Sequence, residues 1–111
     1  MAQVRAAKAQ REASIQDAIL KYLNSRPNCK AYNMHGSRWQ GAGRPDIIAC
    51  YRGRFLAIEV KRPGGKITKL QEYELLTWEY AGAVTAVVTS VEGVREIIKK
   101  LDREIERSVK P

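Results

Sequence analysis

The chain has 111 residues, and its 20 lysines and arginines against 12 aspartates and glutamates give a formal net charge of +8. This length suits one domain, predicted over residues 1–111. Two cysteines are too few for a disulfide framework and favour a reduced, intracellular protein. No apolar run approaches the roughly 20 residues of a membrane span, and the basic excess favours nucleic acid over an anionic membrane surface as the partner.

The first predicted element is an amphipathic helix over about residues 5–25, because apolar side chains recur every three or four positions along one face. Pro27 must end this helix. A short strand over residues 30–35 follows. The stretch between residues 36 and 45 then contains three glycines and breaks regular structure.

Two apolar runs come next, over residues 46–51 and 55–61. The residues between them centre on Gly53, which can supply the positive φ of a tight turn. The pattern therefore predicts an antiparallel β-hairpin.

The rest of the chain alternates helix and strand. A capping box that starts at Thr68 opens a second helix, which runs to about residue 81. A β-branched run over residues 83–89 predicts a buried strand, and Ser90 caps a final helix over about 91–108. The predicted order is αβββαβα.

The basic residues concentrate in the middle of the chain. Between residues 38 and 69 there are eight bases and only two acids, Asp46 and Glu59. A carboxylate that faces polyphosphate is unfavourable unless a cation lies between them. Apart from Lys61, the bases of this segment are predicted as a group to contact DNA phosphates: Arg38, Arg44, Arg52, Arg54, Arg62, Lys66 and Lys69.

The two acids are predicted to meet across the hairpin. Alternation places Glu59 and Lys61 on one face of the second strand, and a short turn brings Asp46 opposite Glu59 near the open end. Mg²⁺ commonly binds through one or two carboxylates plus a substrate phosphate. A neighbouring lysine can orient or help deprotonate the attacking water, or stabilise charge on the phosphate. The pattern predicts metal-assisted phosphodiester hydrolysis.

Three short motifs together resemble those of a known nuclease superfamily, the PD-(D/E)xK enzymes, and within it the VRR-NUC branch of virus-type replication and repair nucleases. The motifs are Gly43-Arg44-Pro45-Asp46, Glu59-Val60-Lys61 and Thr68-x-x-Gln71. The resemblance covers about residues 12–95. It implies an α/β restriction-endonuclease-like core, with a central mixed sheet flanked by helices, of the kind found in stand-alone phage or bacterial proteins.

The same resemblance implies roles for individual residues. The implied metal ligands are Asp46, Glu59 and the backbone carbonyl of Val60. Lys61 is the implied catalytic lysine, and Glu12 resembles an additional acid that reaches the metal, often through water. Gln71 resembles a catalytic-site glutamine that approaches from the second helix. The helix macrodipole also explains Glu12, and the capping box also explains Gln71.

The sequence thus predicts a DNA endonuclease that uses Mg²⁺, or Mn²⁺ in its place, and no organic cofactor. One chain supplies one site, so paired cuts require a twofold homodimer, and family analogy favours Holliday junctions or related branched DNA. Three alternatives stay open. The first is a non-catalytic basic DNA-binding module with a degenerate nuclease fold. The second is a nuclease for flaps, linear ends or RNA. The third is a structural partner that pairs through its last helix.

Overall fold

The computed structural model describes residues 2–34 and 43–109. Its elements are α1 (Ala2–Ser25), β1 (Cys29–Asn33), β2 (Ile47–Tyr51), β3 (Arg54–Val60), α2 (Lys69–Tyr80), β4 (Val84–Val88) and α3 (Val91–Val109). The predicted αβββαβα order is confirmed. Helix α1 begins at Ala2 rather than near residue 5, because its leading residues are mainly strong helix formers. None of the helices in the described ranges is long and apolar enough to cross a membrane.

The four strands form one mixed sheet in the order β1-β2-β3-β4, in which β4 alone runs parallel to its neighbour. The predicted hairpin joins β2 and β3. Its turn is shorter than predicted, because Arg54 already belongs to β3 and only Arg52 and Gly53 make the turn. Both turn residues have positive φ, 50° and 83°, as a tight two-residue hairpin requires.

Helices α1 and α3 cover one face of the sheet. Fully buried aliphatic side chains from this face and from both helices include Ile19, Leu23, Ile47, Leu56, Ile58, Val60, Val94 and Ile98. Each contributes roughly 1.5–3 kcal/mol to folding. The apolar stripe of α3 therefore packs in the core of its own chain, which removes the surface on which the helix-pairing alternative depended.

Helix α2 covers part of the opposite face. Its Leu75 is buried, and the Trp78 ring stacks on the Phe55 ring of β3 with centroids 5.0 Å apart. Thr68 caps the helix as predicted, because its side chain accepts a hydrogen bond from the Gln71 N–H. The first turn of α2 lies beside the open end of the hairpin, because its Gln71 side chain donates a hydrogen bond to Glu59.

Asp102 of α3 ties the turn end of the hairpin to the helical layer. Its Oδ1 accepts hydrogen bonds from the Tyr51 hydroxyl at 2.6 Å and from Arg52 Nη1 at 2.9 Å. Arg26, just beyond α1, lies 3.8 Å from the other oxygen. The Tyr51 hydrogen bond and the arginine charges lower the pKa of the Asp102 carboxyl. One carboxylate thus links α1, the hairpin and α3.

We expect Asp102→Asn to lower the free energy of unfolding at pH 7 by about 1 kcal/mol, since the amide keeps an acceptor but loses the charge. The folded-state pKa lies below the ordinary 3.8, so the charge contributes fully above that value and is lost as the pH falls through the folded pKa. Urea unfolding should show the deficit at pH 7 and its narrowing below about pH 4. The exposed Asp17→Asn change serves as the control, and an equal effect there would contradict this role.

Candidate active site

Asp46 and Glu59 meet at the open end of the hairpin. The strand register places Ile47 opposite Ile58, so the next position sets Asp46 opposite Glu59. Asp46 follows the buried Pro45, and its Oδ2 accepts a hydrogen bond from the Val60 N–H at 2.8 Å. The meeting of these two side chains, called here the carboxylate pair, is the arrangement that the hairpin pattern predicted.

The carboxylate pair is strongly perturbed electrostatically. Glu59 is only 1% exposed, and burial, followed by its hydrogen bond to Asp46 and the Asp46 charge, raises its pKa to about 9. The nearby Lys61 ammonium acts in the opposite direction. Glu59 Oε2 has no hydrogen-bond partner among the described residues. Without a cation, the carboxylate pair therefore holds a proton at neutral pH, and it presents one buried oxygen with no partner.

These features suit a hard divalent cation. The donors are all oxygen, and the unpartnered Glu59 oxygen is the atom that a cation would satisfy. Residues 2–34 and 43–109 contain no group of three or more His, Cys, Asp or Glu side chains that could hold a metal. The donor set is therefore two carboxylates, within the one or two that Mg²⁺ commonly takes from protein.

Gln71 contacts both the cap of α2 and the carboxylate pair. Its Oε1 accepts from the Thr68 N–H at 2.9 Å, and its Nε2 donates to Glu59 Oε1 at 3.2 Å. The sequence suggested two interpretations of Gln71, as a capping-box residue and as a catalytic-site glutamine. The two are compatible, because the amide has an acceptor for the cap and a donor for the site. Capping fixes the side chain in a position from which it reaches Glu59.

Gly43 seats the segment before Asp46 against α2. Its φ is +83°, and a Cβ there would lie 2.7 Å from Leu70 Cγ and 3.1 Å from the Leu70 backbone. Glycine is required by both the backbone conformation and the close approach. The glycine of the first motif thus fixes the distance between the Asp46 segment and the helix that carries Gln71.

Glu12 reaches the opposite side of the same sheet end. Its Oε2 accepts a long hydrogen bond, 3.4 Å, from the Arg62 N–H, and its charge contributes to the raised pKa of Glu59. It does not join the carboxylate pair as a direct third member. A contact through water stays a prediction.

The sequence did not indicate how α1 is held at this end. Gln16, 8% exposed, accepts a hydrogen bond from Asn33 Nδ2 at 2.8 Å. Gln16 lies one turn after Glu12 on the same helix face, so this contact fixes the rotation of α1 that presents Glu12. The one available signal was a polar residue within the apolar stripe of the first helix.

The predicted basic residues divide between the two ends of the sheet. Lys61 follows β3, half-buried, and its N–H donates to the Val88 carbonyl at 2.9 Å. Four further bases flank the carboxylate pair in sequence: Arg44, Arg62, Lys66 and Lys69. Arg52 and Arg54 lie at the turn end, where Arg52 pairs with Asp102. The structure does not bring these two to the carboxylate pair, and Arg38 lies outside the described residues.

Comparison with solved structures identifies the fold. One chain described as a VRR_NUC domain superposes with a TM-score of 0.66 at 22% identity, over 80% of this chain and 95% of the other. A second, described as a VRR_NUC domain protein, gives 0.63 at 17% identity, over 81% and 86%. No family model and no curated protein matches the sequence. The predicted restriction-endonuclease-like fold of VRR-NUC domains is confirmed.

We expect Glu59→Gln to stabilise the metal-free protein at high pH. The folded state retains the Glu59 proton up to about pH 9, whereas the unfolded chain releases it near 4.5, so wild-type stability falls between those values. The variant removes this slope and should exceed the wild type by at least about 1 kcal/mol at pH 8. Urea unfolding in EDTA at pH 5 and pH 8 tests this, with the exposed Glu79→Gln as control. Parallel pH profiles for wild type and Glu59→Gln would contradict it.

Proposed function

We propose that the protein is a Mg²⁺-dependent, structure-selective DNA endonuclease in which Mn²⁺ can replace Mg²⁺. The observation that carries the proposal is the buried carboxylate pair, with an unpartnered oxygen on Glu59 and with Lys61 two residues further on. The VRR_NUC fold of the chain supports the same chemistry. Neither a stabilising ion pair nor an ordinary core residue accounts for a buried Glu59 beside a second acid, Asp46, inside a basic protein.

In this proposal Asp46, Glu59 and the Val60 carbonyl hold the cation. The Val60 N–H faces Asp46, and the N–H and C=O of one strand residue point to the same side, so the carbonyl also faces the carboxylate pair. Gln71 holds the Glu59 carboxylate in place through its amide donor. When bound, the cation polarises the phosphate and lowers the pKa of water.

Lys61 acts on the reacting phosphate. Its backbone is fixed by the hydrogen bond to Val88, and its charge already acts on Glu59. A positioned ammonium stabilises negative charge that develops on the phosphate oxygens, and it orients the water that attacks. Lys61 and the carboxylate pair are therefore the proposed catalytic residues, with Gln71 beside them.

The substrate is proposed to be branched DNA. Arg44, Arg62, Lys66 and Lys69 would contact phosphates near the cut. Arg52 and Arg54 lie roughly 17 Å further along the hairpin at about 3.4 Å per residue, and would contact a more distant part of the substrate. Because one chain supplies one site, symmetrical incision of a Holliday junction requires a homodimer.

The direct test is cleavage of an end-labelled four-way junction and of matched linear and flapped duplexes in Mg²⁺. We expect the wild type to cut the junction in symmetrically related strands and to spare the linear duplex. Lys61→Ala should bind the junction with similar affinity and cut at least about 100-fold more slowly, since it loses charge stabilisation in the transition state. Lys100→Ala, exposed on α3, is the matched control.

Other outcomes select among the alternatives. Preferential cutting of flaps or linear ends would retain the chemistry and overturn the branched substrate. Binding without cleavage of any substrate, in Mg²⁺ and in Mn²⁺, would instead favour a basic DNA-binding module with a degenerate nuclease fold.

A further inference from the structure

The first part of α1 is exposed. Side-chain burial on this helix begins with Glu12, whereas the described side chains before it are exposed. Residues 2–11, called here the N-terminal arm, would span about 15 Å of helix at 1.5 Å per residue. Because the described side chains of the N-terminal arm are exposed, the arm offers a surface to a partner.

The charge of the N-terminal arm identifies the chemistry of that partner. The first 11 residues carry three bases, Arg5, Lys8 and Arg11, and no acid. The side chains of Lys8 and Arg11 are exposed. A helix with several bases and no acid is complementary to a polyanion.

A groove of about 600 Å³ runs between α1 and the loops that follow β3 and β4. Its polar lining consists of Gln10, Arg11, Ser14 and Thr89, all of which carry donors that commonly contact phosphate. Ile15 and Pro63 supply apolar surface suited to deoxyribose. No carboxylate belongs to the described lining of this groove.

The residues that line the groove are neighbours in sequence of residues that contact the proposed active site. Arg11 precedes Glu12, and Pro63 follows Arg62, whose N–H contacts Glu12. Thr89 follows Val88, whose carbonyl accepts from the Lys61 N–H. A strand in the groove would therefore reach Lys61 across the ends of β3 and β4.

From these features we infer that the N-terminal arm and its groove form a second DNA-binding surface, which holds the backbone of one substrate strand as it leaves the active site. The inference rests on the DNA-binding part of the proposed function. It adds Lys8, Arg11, Gln10 and Ser14 to the residues that contact substrate, none of which belongs to the basic segment in the middle of the chain.

The test measures binding of a fluorescently labelled four-way junction by anisotropy, over a series of salt concentrations in EDTA so that no cleavage proceeds. The arm variant carries Lys8→Gln and Arg11→Gln, which keep helix propensity. The control carries Lys100→Gln and Arg103→Gln, which flank Asp102 at the turn end of the sheet and change the net charge equally. A third variant, Ser14→Leu, fills the groove without any change in charge.

We expect the arm variant to bind about tenfold or more weakly near 0.1 M salt, and the slope of log affinity against log salt to decrease in magnitude by about 1.8 for two lost phosphate contacts. The control should retain the wild-type slope, and Ser14→Leu should weaken binding at unchanged net charge. Wild-type affinity and slope in the arm variant, or equal losses in the control, would overturn the inference. Conversion of a dimer to monomers by the arm changes, seen by sedimentation, would overturn it in favour of a second copy as occupant.

The same data separate this inference from the proposed function. A wild type that binds no DNA defeats both. If binding depends on the arm but no DNA is cleaved in Mg²⁺ or Mn²⁺, the inference is supported and the nuclease proposal is overturned. If DNA is cleaved but binding does not depend on the arm, the nuclease proposal is supported and the inference is overturned.

Discussion

The hydrogen bond from the Val60 N–H to the Asp46 carboxylate is the contact on which the rest of the site depends. The last paired backbone residues of the hairpin at this end are Ile47 and Ile58. Beyond them, the Asp46 side chain takes the place of a backbone partner for Val60. This contact holds the Asp46 carboxylate against the buried Glu59. Burial and the neighbouring acid keep Glu59 protonated at neutral pH unless a cation lies between the two carboxylates. The fold therefore buries two interacting acids, Asp46 and Glu59, at one end of its sheet.

Contacts from the surrounding segments hold this pair of acids in position. Gly43 lets the Asp46 segment approach α2 closely, and the capping box of α2 holds Gln71 where its amide donates to Glu59. The contact between Gln16 and Asn33 sets the rotation of α1 on the other side. Together these contacts hold the segments that surround the carboxylate pair in place. At the opposite end of the sheet, Asp102 forms a conventional network with a hydrogen bond from Tyr51 and an ion pair with Arg52.

Local patterns predicted the element order, because apolar periodicity, turn residues and caps act within a few positions. They also predicted that Asp46 and Glu59 face each other near the open end of the hairpin, although the exact register follows from a two-residue turn that is one residue shorter than predicted. Contacts between distant segments were beyond that reasoning. The sequence predicts that Arg52 contacts DNA like the other bases of its segment. In the structure it pairs with Asp102, which lies 50 positions later in the chain. The complete burial of Glu59 and the dual contacts of Gln71 likewise depend on how α2 packs, which no local pattern specifies.

We propose that the pair of Asp46 and Glu59 is a cation site. Thermal unfolding at pH 7.5 over increasing Mn²⁺, for the wild type and Glu59→Gln, tests it most directly. A ligand that binds only the folded state raises the midpoint as its concentration rises. We expect that rise in the midpoint for the wild type and its loss in Glu59→Gln, which keeps the shape of the side chain. An equal rise in both proteins, or none in the wild type, would contradict it.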